Sequence, residues 1–203
     1  MIKNSYKHTV KEKFEHLLSV VSSQRFLKKQ GLGNEIPFFI CPYRAEEAVE
    51  MERLQKQLIN KLSQAGIRVL EINLYDISIE ILKKNGDWEW YLDEETNMTK
   101  DELKEELQSI LDIETVITPF IANQLKPDNF DVMFLSGVGE VFPYIRSHNV
   151  LNNLQKVAKD KPTVMFFPGG YTHTLASGAS LDLFNRLHDD KYYRAFNIFH
   201  YEI

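Results

Sequence analysis

Ile36-Pro37-Phe38-Phe39-Ile40-Cys41, residues 36–41, is a continuous apolar run stopped by Pro42, the signature of a strand buried on both faces. The next thirty residues decide how that strand is used. From about Ala45 to Ala65 the apolar residues Met51, Leu54, Leu58, Ile59 and Leu62 repeat at helical spacing, and Gly66 supplies a C-terminal stop. A second strand begins at once, Ile67-Arg68-Val69-Leu70-Glu71-Ile72-Asn73-Leu74. Strand, helix and strand in that order make a parallel crossover unit, because a helix of this length returns the chain to the same end of the sheet.

On either side of this unit the same alternation continues. The first thirty residues read as one helix, on Val10, Phe14, Leu17, Leu18, Val21 and Leu27, stopped by Gly31 and Gly33. Asp76 opens a short helix to Lys83, closed at Asn85-Gly86. Thr99 with Glu102 forms a capping box for a helix running toward Ile117. Asp131–Leu135 and Thr163–Phe167 are further strands, separated by a helical region on Val141, Tyr144, Ile145, Leu151, Leu154 and Val157. Leu181 to Leu187 reads as a helix and Ala195–Phe199 as the closing strand. The expectation is a single α/β domain over residues 1–203: an open, doubly wound, mostly parallel sheet of about five strands with helices on both faces.

Length and composition agree with a packed soluble domain. The 203 residues are 43% hydrophobic with 13 Phe and 9 Tyr, too apolar for a disordered chain. One cysteine, Cys41, excludes an internal disulfide and any Cys-rich zinc site. The start carries no apolar signal core, and the longest stretch without formal charge, Thr163–Leu181, contains Pro168, Gly169, Gly170 and His173, so it is no membrane span. A cytoplasmic location is expected. The net charge of −5 argues against binding duplex DNA through a broad basic face, although Lys28, Lys29 and Arg44 could gather locally.

Chemistry in a doubly wound sheet collects at the carboxyl ends of the strands. Ser136-Gly137-Val138-Gly139-Glu140 lies just after a strand there, and Ser136, Gly137 and Gly139 could hold an anion on backbone N–H groups, or simply turn the chain. The segment lacks both the third glycine of a dinucleotide fingerprint and the Lys-Ser/Thr of a Walker A loop. Asp76 is either a nucleotide-binding acid or a helix N-cap, with the cap favoured. Arg44 could meet an anion or a neighbouring carboxylate, and Cys41 reads as a small buried hydrophobe. The six histidines, His8, His16, His148, His173, His188 and His200, form no metal motif; His188-Asp189-Asp190 reads as a solvated helix end. No catalytic set, metal site or cofactor site is complete. Trp88, Trp90 and Tyr91, flanked by Asp93, Glu94 and Glu95, make either a protein-interaction patch or a flap on their own domain; Tyr171 and His173 lie in a second candidate surface.

Several strings, taken together, resemble one family. They are Ile36–Tyr43, Ile72–Asp76, Leu135-Ser136-Gly137-Val138-Gly139-Glu140-Val141-Phe142-Pro143 onward to His148, Phe166–Tyr171, Leu181–Phe184 and Tyr192-Tyr193-Arg194-Ala195-Phe196. The chain resembles the BrxB family, a small component of BREX bacteriophage-exclusion systems, over essentially its whole length. The resemblance implies a role in a defence system that marks host DNA through a methyltransferase and blocks phage replication. Such systems also contain a large ATPase and an alkaline-phosphatase-like protein, PglZ. It carries no catalytic residues to positions here, so the expected function is a non-enzymatic adaptor holding PglZ or the methyltransferase assembly, with the ATPase as a further partner. The other reading is a degenerate NTPase-like domain that binds a nucleotide or phosphate at Ser136–Glu140 without hydrolysis.

Overall fold

The structure, a computed structural model, describes residues 9–31, 35–174, 178–190 and 195–203. The chain opens with α1 (Val10–Ser22), started by a reciprocal Thr9–Glu12 capping box. Ser23 then adopts an extended conformation, and its hydroxyl caps the single turn α2 (Gln24–Leu27). One helix over the first thirty residues is therefore corrected to two. Ser23 ends the first by leaving helical φ/ψ and starts the second by accepting the Phe26 N–H.

β1 (Phe38–Tyr43) leads to α3 (Ala48–Gln64), and then to β2 (Val69–Asn73). Gly66 ends α3 at φ +78°, where the Ile67 N–H reaches back to the Leu62 carbonyl at 2.9 Å. Next come α4 (Leu74–Asn85) and α5 (Trp88–Glu94). α4 begins earlier than expected: Asn73 Oδ1 accepts the N–H groups of Tyr75 at 2.9 Å and Asp76 at 3.3 Å. Asn73 is thus the N-cap, and Asp76 sits in the first turn, where its charge favours the amino end of the helix.

α6 (Lys100–Ile110) starts at the anticipated Thr99–Glu102 box but stops before Ile117. Asp112 restarts the chain by accepting N–H bonds from Glu114 and Thr115, opening a π-helical segment, Ile113–Ile117, that runs into α7 (Thr118–Leu125). β3 (Val132–Ser136), α8 (Ser147–Val157) and β4 (Thr163–Thr174) complete the regular alternation. β5 (Gly178–Leu183) and β6 (Leu187–Asp190) occupy the place of the expected helix over 181–187 and of the helix end at His188-Asp189-Asp190. β7 (Phe196–Asn197) closes the chain.

Five strands pair in parallel in the order β2-β3-β4-β1-β7, and β5 and β6 extend β4 as an antiparallel meander. The alternation of side chains shows the double winding directly. Phe39, Cys41, Val132, Phe134, Val164 and Phe166 face α1, α2 and α3. Phe38, Ile40, Met133, Leu135, Met165 and Phe167 face the helices from α4 to α8. Successive residues of each strand are buried on opposite sides, which is why these strands read as unbroken apolar runs. The chain leaves β1 past β4 and β3 toward β2, whereas it leaves β4 past β1 toward β7. Neighbouring β1 and β4 thus send their connections in opposite directions along the sheet, and ligands of such sheets gather at the carboxyl edge.

Candidate functional site

The residues that follow β1, β3 and β4 meet at that edge. Tyr43 lies in register with Pro168, and β4 continues beyond it into the meander. The glycine loop after β3 does not lead straight into a helix: residues 137–146 form turns before α8, and the N–H groups of Glu140 and Val141 bond to the Gly137 carbonyl. Ser136, Gly137 and Gly139 are brought together here, and close packing accounts for both glycines. A β-carbon on Gly137 would collide with Asn73 Oδ1 and lie 3.0 Å from the backbone nitrogens of Leu74 and Tyr75. A β-carbon on Gly139 would lie 2.8 Å from Pro168 Cγ and 3.0 Å from Phe184 Cε1.

Acidic and phenolic groups gather beside this loop. Burial raises the Glu140 carboxyl above its ordinary pKa, and the charges of Asp76 and Glu52 raise it further. Burial also raises the phenols of Tyr43 and Tyr144, with Glu140 adding to both. These groups disfavour a second negative charge among them, so a bare phosphate meets repulsion here.

A buried charge cluster at the end of β1 escaped the sequence reading. Lys13, 1% exposed on α1, pairs with the buried carboxylate of Glu47. Arg44 donates to Glu47 from Nη2 at 2.8 Å and Nε at 3.2 Å, and its backbone N–H donates at 3.2 Å. Of the two roles weighed for Arg44, the structure shows the neighbouring carboxylate. Burial alone would raise the Glu47 pKa, but the hydrogen bonds from Lys13 and Arg44 and the charge of Lys13 bring it below the ordinary carboxylate value. The signal was present: Lys13 lies three residues after Val10 and four before Leu17, inside the apolar stripe of α1. Nearby, burial pushes the Cys41 thiol up to about 12, and Lys13 offsets this only in part. The native protein should therefore leave a disulfide reagent such as DTNB unreacted at pH 8, with one thiol released only on unfolding. Rapid native labelling would contradict the burial of Cys41.

The aromatic segment is a helix whose side chains divide. Tyr91 is in the core, stacked edge-on against Trp90 at 4.9 Å. Trp88 is half-buried beneath Lys83, whose Nζ lies 5.5 Å from the ring centroid. Trp90 is 49% exposed and Leu92 50% exposed. Each tryptophan walls a hollow: Trp88 one of about 440 Å³ with Tyr75, Ile79 and Lys83, and Trp90 one of about 530 Å³ with Met98, Glu102, Glu105 and Glu106. Tyr171 is buried too, its hydroxyl donating to the Ala195 carbonyl at 2.6 Å, so it and Tyr91 are not surface side chains. The His173 side chain, like His8 and Tyr192–Arg194, lies outside the described residues. Among the described residues, no group of three His, Cys, Asp or Glu side chains is arranged to hold a metal, and no helix is long and apolar enough to cross a membrane.

These features define a doubly wound α/β protein with a close-packed glycine loop after β3 and an α5 helix that carries aromatic and acidic side chains. The profile of the family described as BREX protein BrxB matches residues 70–198, and the chain belongs to the BrxB family. It is 33% identical over 193 residues to a BREX protein BrxB of Bacillus cereus (strain H3081.97), covering 93% of this chain and 97% of that one. It is 30% identical over 186 residues to a BREX protein BrxB of Escherichia coli O9:H4 (strain HS), covering 92% of this chain and 90% of that one. No solved structure matches the chain.

Proposed function

We propose that the chain is a non-catalytic adaptor of a BREX anti-phage assembly, holding the phosphatase-like PglZ protein in place so that host DNA is methylated and phage DNA is restricted. The observation that carries this reading is the half-exposed Trp90, which lines an acidic hollow together with Met98. A large aromatic held in water on a short helix has the character of an interface anchor, since burying it against a partner removes apolar area at little cost in side-chain entropy. Membership of the BrxB family supports the system in which the partner is sought.

The test is complementation in cells that lack the endogenous protein. The wild-type chain is expected to restore both phage restriction and host methylation. Trp90→Ala, produced at equal level, is expected to lose both, because an adaptor failure disconnects every downstream activity at once. Full restoration by Trp90→Ala would contradict the role given to this face.

The nucleotide reading makes a separate prediction. A ligand present at 100-fold its Kd adds about 2.7 kcal/mol of stability, or roughly 5–10 °C in Tm for a chain of this size. Because the Glu140 carboxyl is already held up by burial and by the charges of Asp76 and Glu52, ATP and inorganic phosphate are expected to leave Tm unchanged. A shift of several degrees that Gly139→Ala abolishes would favour nucleotide binding at Ser136–Glu140 instead.

A further inference from the structure

The charge of this chain is not spread evenly. Between Asp87 and Glu106 stand nine carboxylates and two lysines, a net of −7 within a chain whose total is −5, so the remaining residues together carry +2. That segment is α5, the turn after it and the first half of α6, the elements that wall the 530 Å³ hollow. Within the hollow, Glu102 is held in the Thr99 capping box, while neither Glu105 nor Glu106 has a salt bridge among the described residues. Both are exposed and line the hollow. Trp90 and Met98 are the apolar residues of its lining. The buried Tyr91 phenol lies close enough to feel Glu106, which, after burial, is the largest influence raising its pKa.

From this we infer that the α5–α6 hollow docks a cationic segment of a partner protein, one that places an apolar or Arg side chain against Trp90 and Met98 and further Lys or Arg groups on Glu105 and Glu106. The inference rests on the adaptor reading and adds the chemistry of the partner. Three physical points select this occupant. An anionic ligand, nucleic acid included, meets a net of −7. A purely apolar helix would leave Glu105 and Glu106 desolvated and unpaired, which is costly. A guanidinium satisfies both walls at once, since it pairs with carboxylates and stacks on an indole face. The charge would also steer encounter, so the association rate should fall as salt is raised.

The experiment uses the full chain, affinity-tagged and co-expressed with the other BREX components, with the photo-crosslinker p-benzoylphenylalanine replacing Ser109, which lines the hollow. Irradiation is expected to join the chain to one BREX component, within a segment of net positive charge. Trp90→Ala should lower both the crosslink yield and the retained partner by about tenfold or more. Glu105→Lys/Glu106→Lys should do the same, whereas Glu80→Lys, on α4, should not. Thermal melting establishes that each variant is folded, and Trp90→Phe, which keeps an aromatic wall, should retain most of the binding. A partner retained undiminished by the Trp90 and Glu105/Glu106 changes, or a crosslink to an acidic or purely apolar segment, overturns the hollow as the docking site and leaves the adaptor reading standing. A crosslink to a second copy of this chain overturns it in favour of self-association. Retention of no component at all overturns the adaptor reading and this inference with it.

Discussion

Gly137→Ala is expected to destabilise the protein by about 2–5 kcal/mol, a large fraction of the 5–15 kcal/mol available to a typical domain. Two costs add. Gly137 has φ +75°, where a β-carbon costs about 1–2 kcal/mol for an L-residue. The added carbon also meets Asn73 Oδ1 and the backbone nitrogens of Leu74 and Tyr75, and overpacking of this kind costs about 1–3 kcal/mol. The neighbours are the N-cap and first turn of α4, which cannot retreat without losing the Asn73 hydrogen bonds. Gly66→Ala is the internal control: φ is similar at +78°, but nothing lies within 4 Å of the added carbon. It should cost only about 1–2 kcal/mol, so the difference between the two variants in urea unfolding measures the close approach alone. Equal losses would show that the loop after β3 does not press on α4.

Glu47→Ala is expected to cost about 3–5 kcal/mol, because it leaves Lys13 charged and buried with its partner gone. Lys13→Met/Glu47→Leu, which removes both charges and keeps the volume, should recover most of that loss, since an apolar pair of similar size needs no partner. The same contact sets a pH dependence. The Glu47 pKa is lower in the folded state than its ordinary 4.5, so its contribution is fully present above about pH 4.5 and is lost as pH falls through the depressed folded value. Acid unfolding of the wild type should therefore be steeper below pH 4.5 than that of Lys13→Met/Glu47→Leu. Identical acid profiles would mean that the Lys13–Glu47 contact contributes nothing in solution.

The sequence displays most of this architecture, for a physical reason. Strands buried on two faces cannot alternate in polarity, so β1, β3 and the start of β4 stand out as unbroken apolar runs, and the glycines after α3 and α4 mark helix ends that need positive φ. The helix expected over 181–187 is absent because two periods compete in one short segment. Leu181, Phe184 and Leu187 have helical spacing, while Leu181 and Leu183 alternate; the structure buries Leu181 and Leu183 and turns the chain at Phe184 and Asn185, both with φ +56°. The site is less legible than the fold. Trp88, Trp90 and Tyr91 are visible as a group, but which of them faces water depends on packing against α4 and α6. Lys13 and Glu47 stand 34 residues apart, and only the docking of α1 beside the end of β1 joins them.

A chain that works by holding a partner on its α5 face should carry that partner through purification. The measurement is co-purification of the chain with the phosphatase-like BREX protein at low and high salt, for the wild type and for Trp90→Ala. A stoichiometric wild-type complex is expected, and Trp90→Ala, which truncates only the exposed ring, should remove it while the variant's own Tm stays near that of the wild type. Absence of any complex at either salt concentration would contradict the adaptor function.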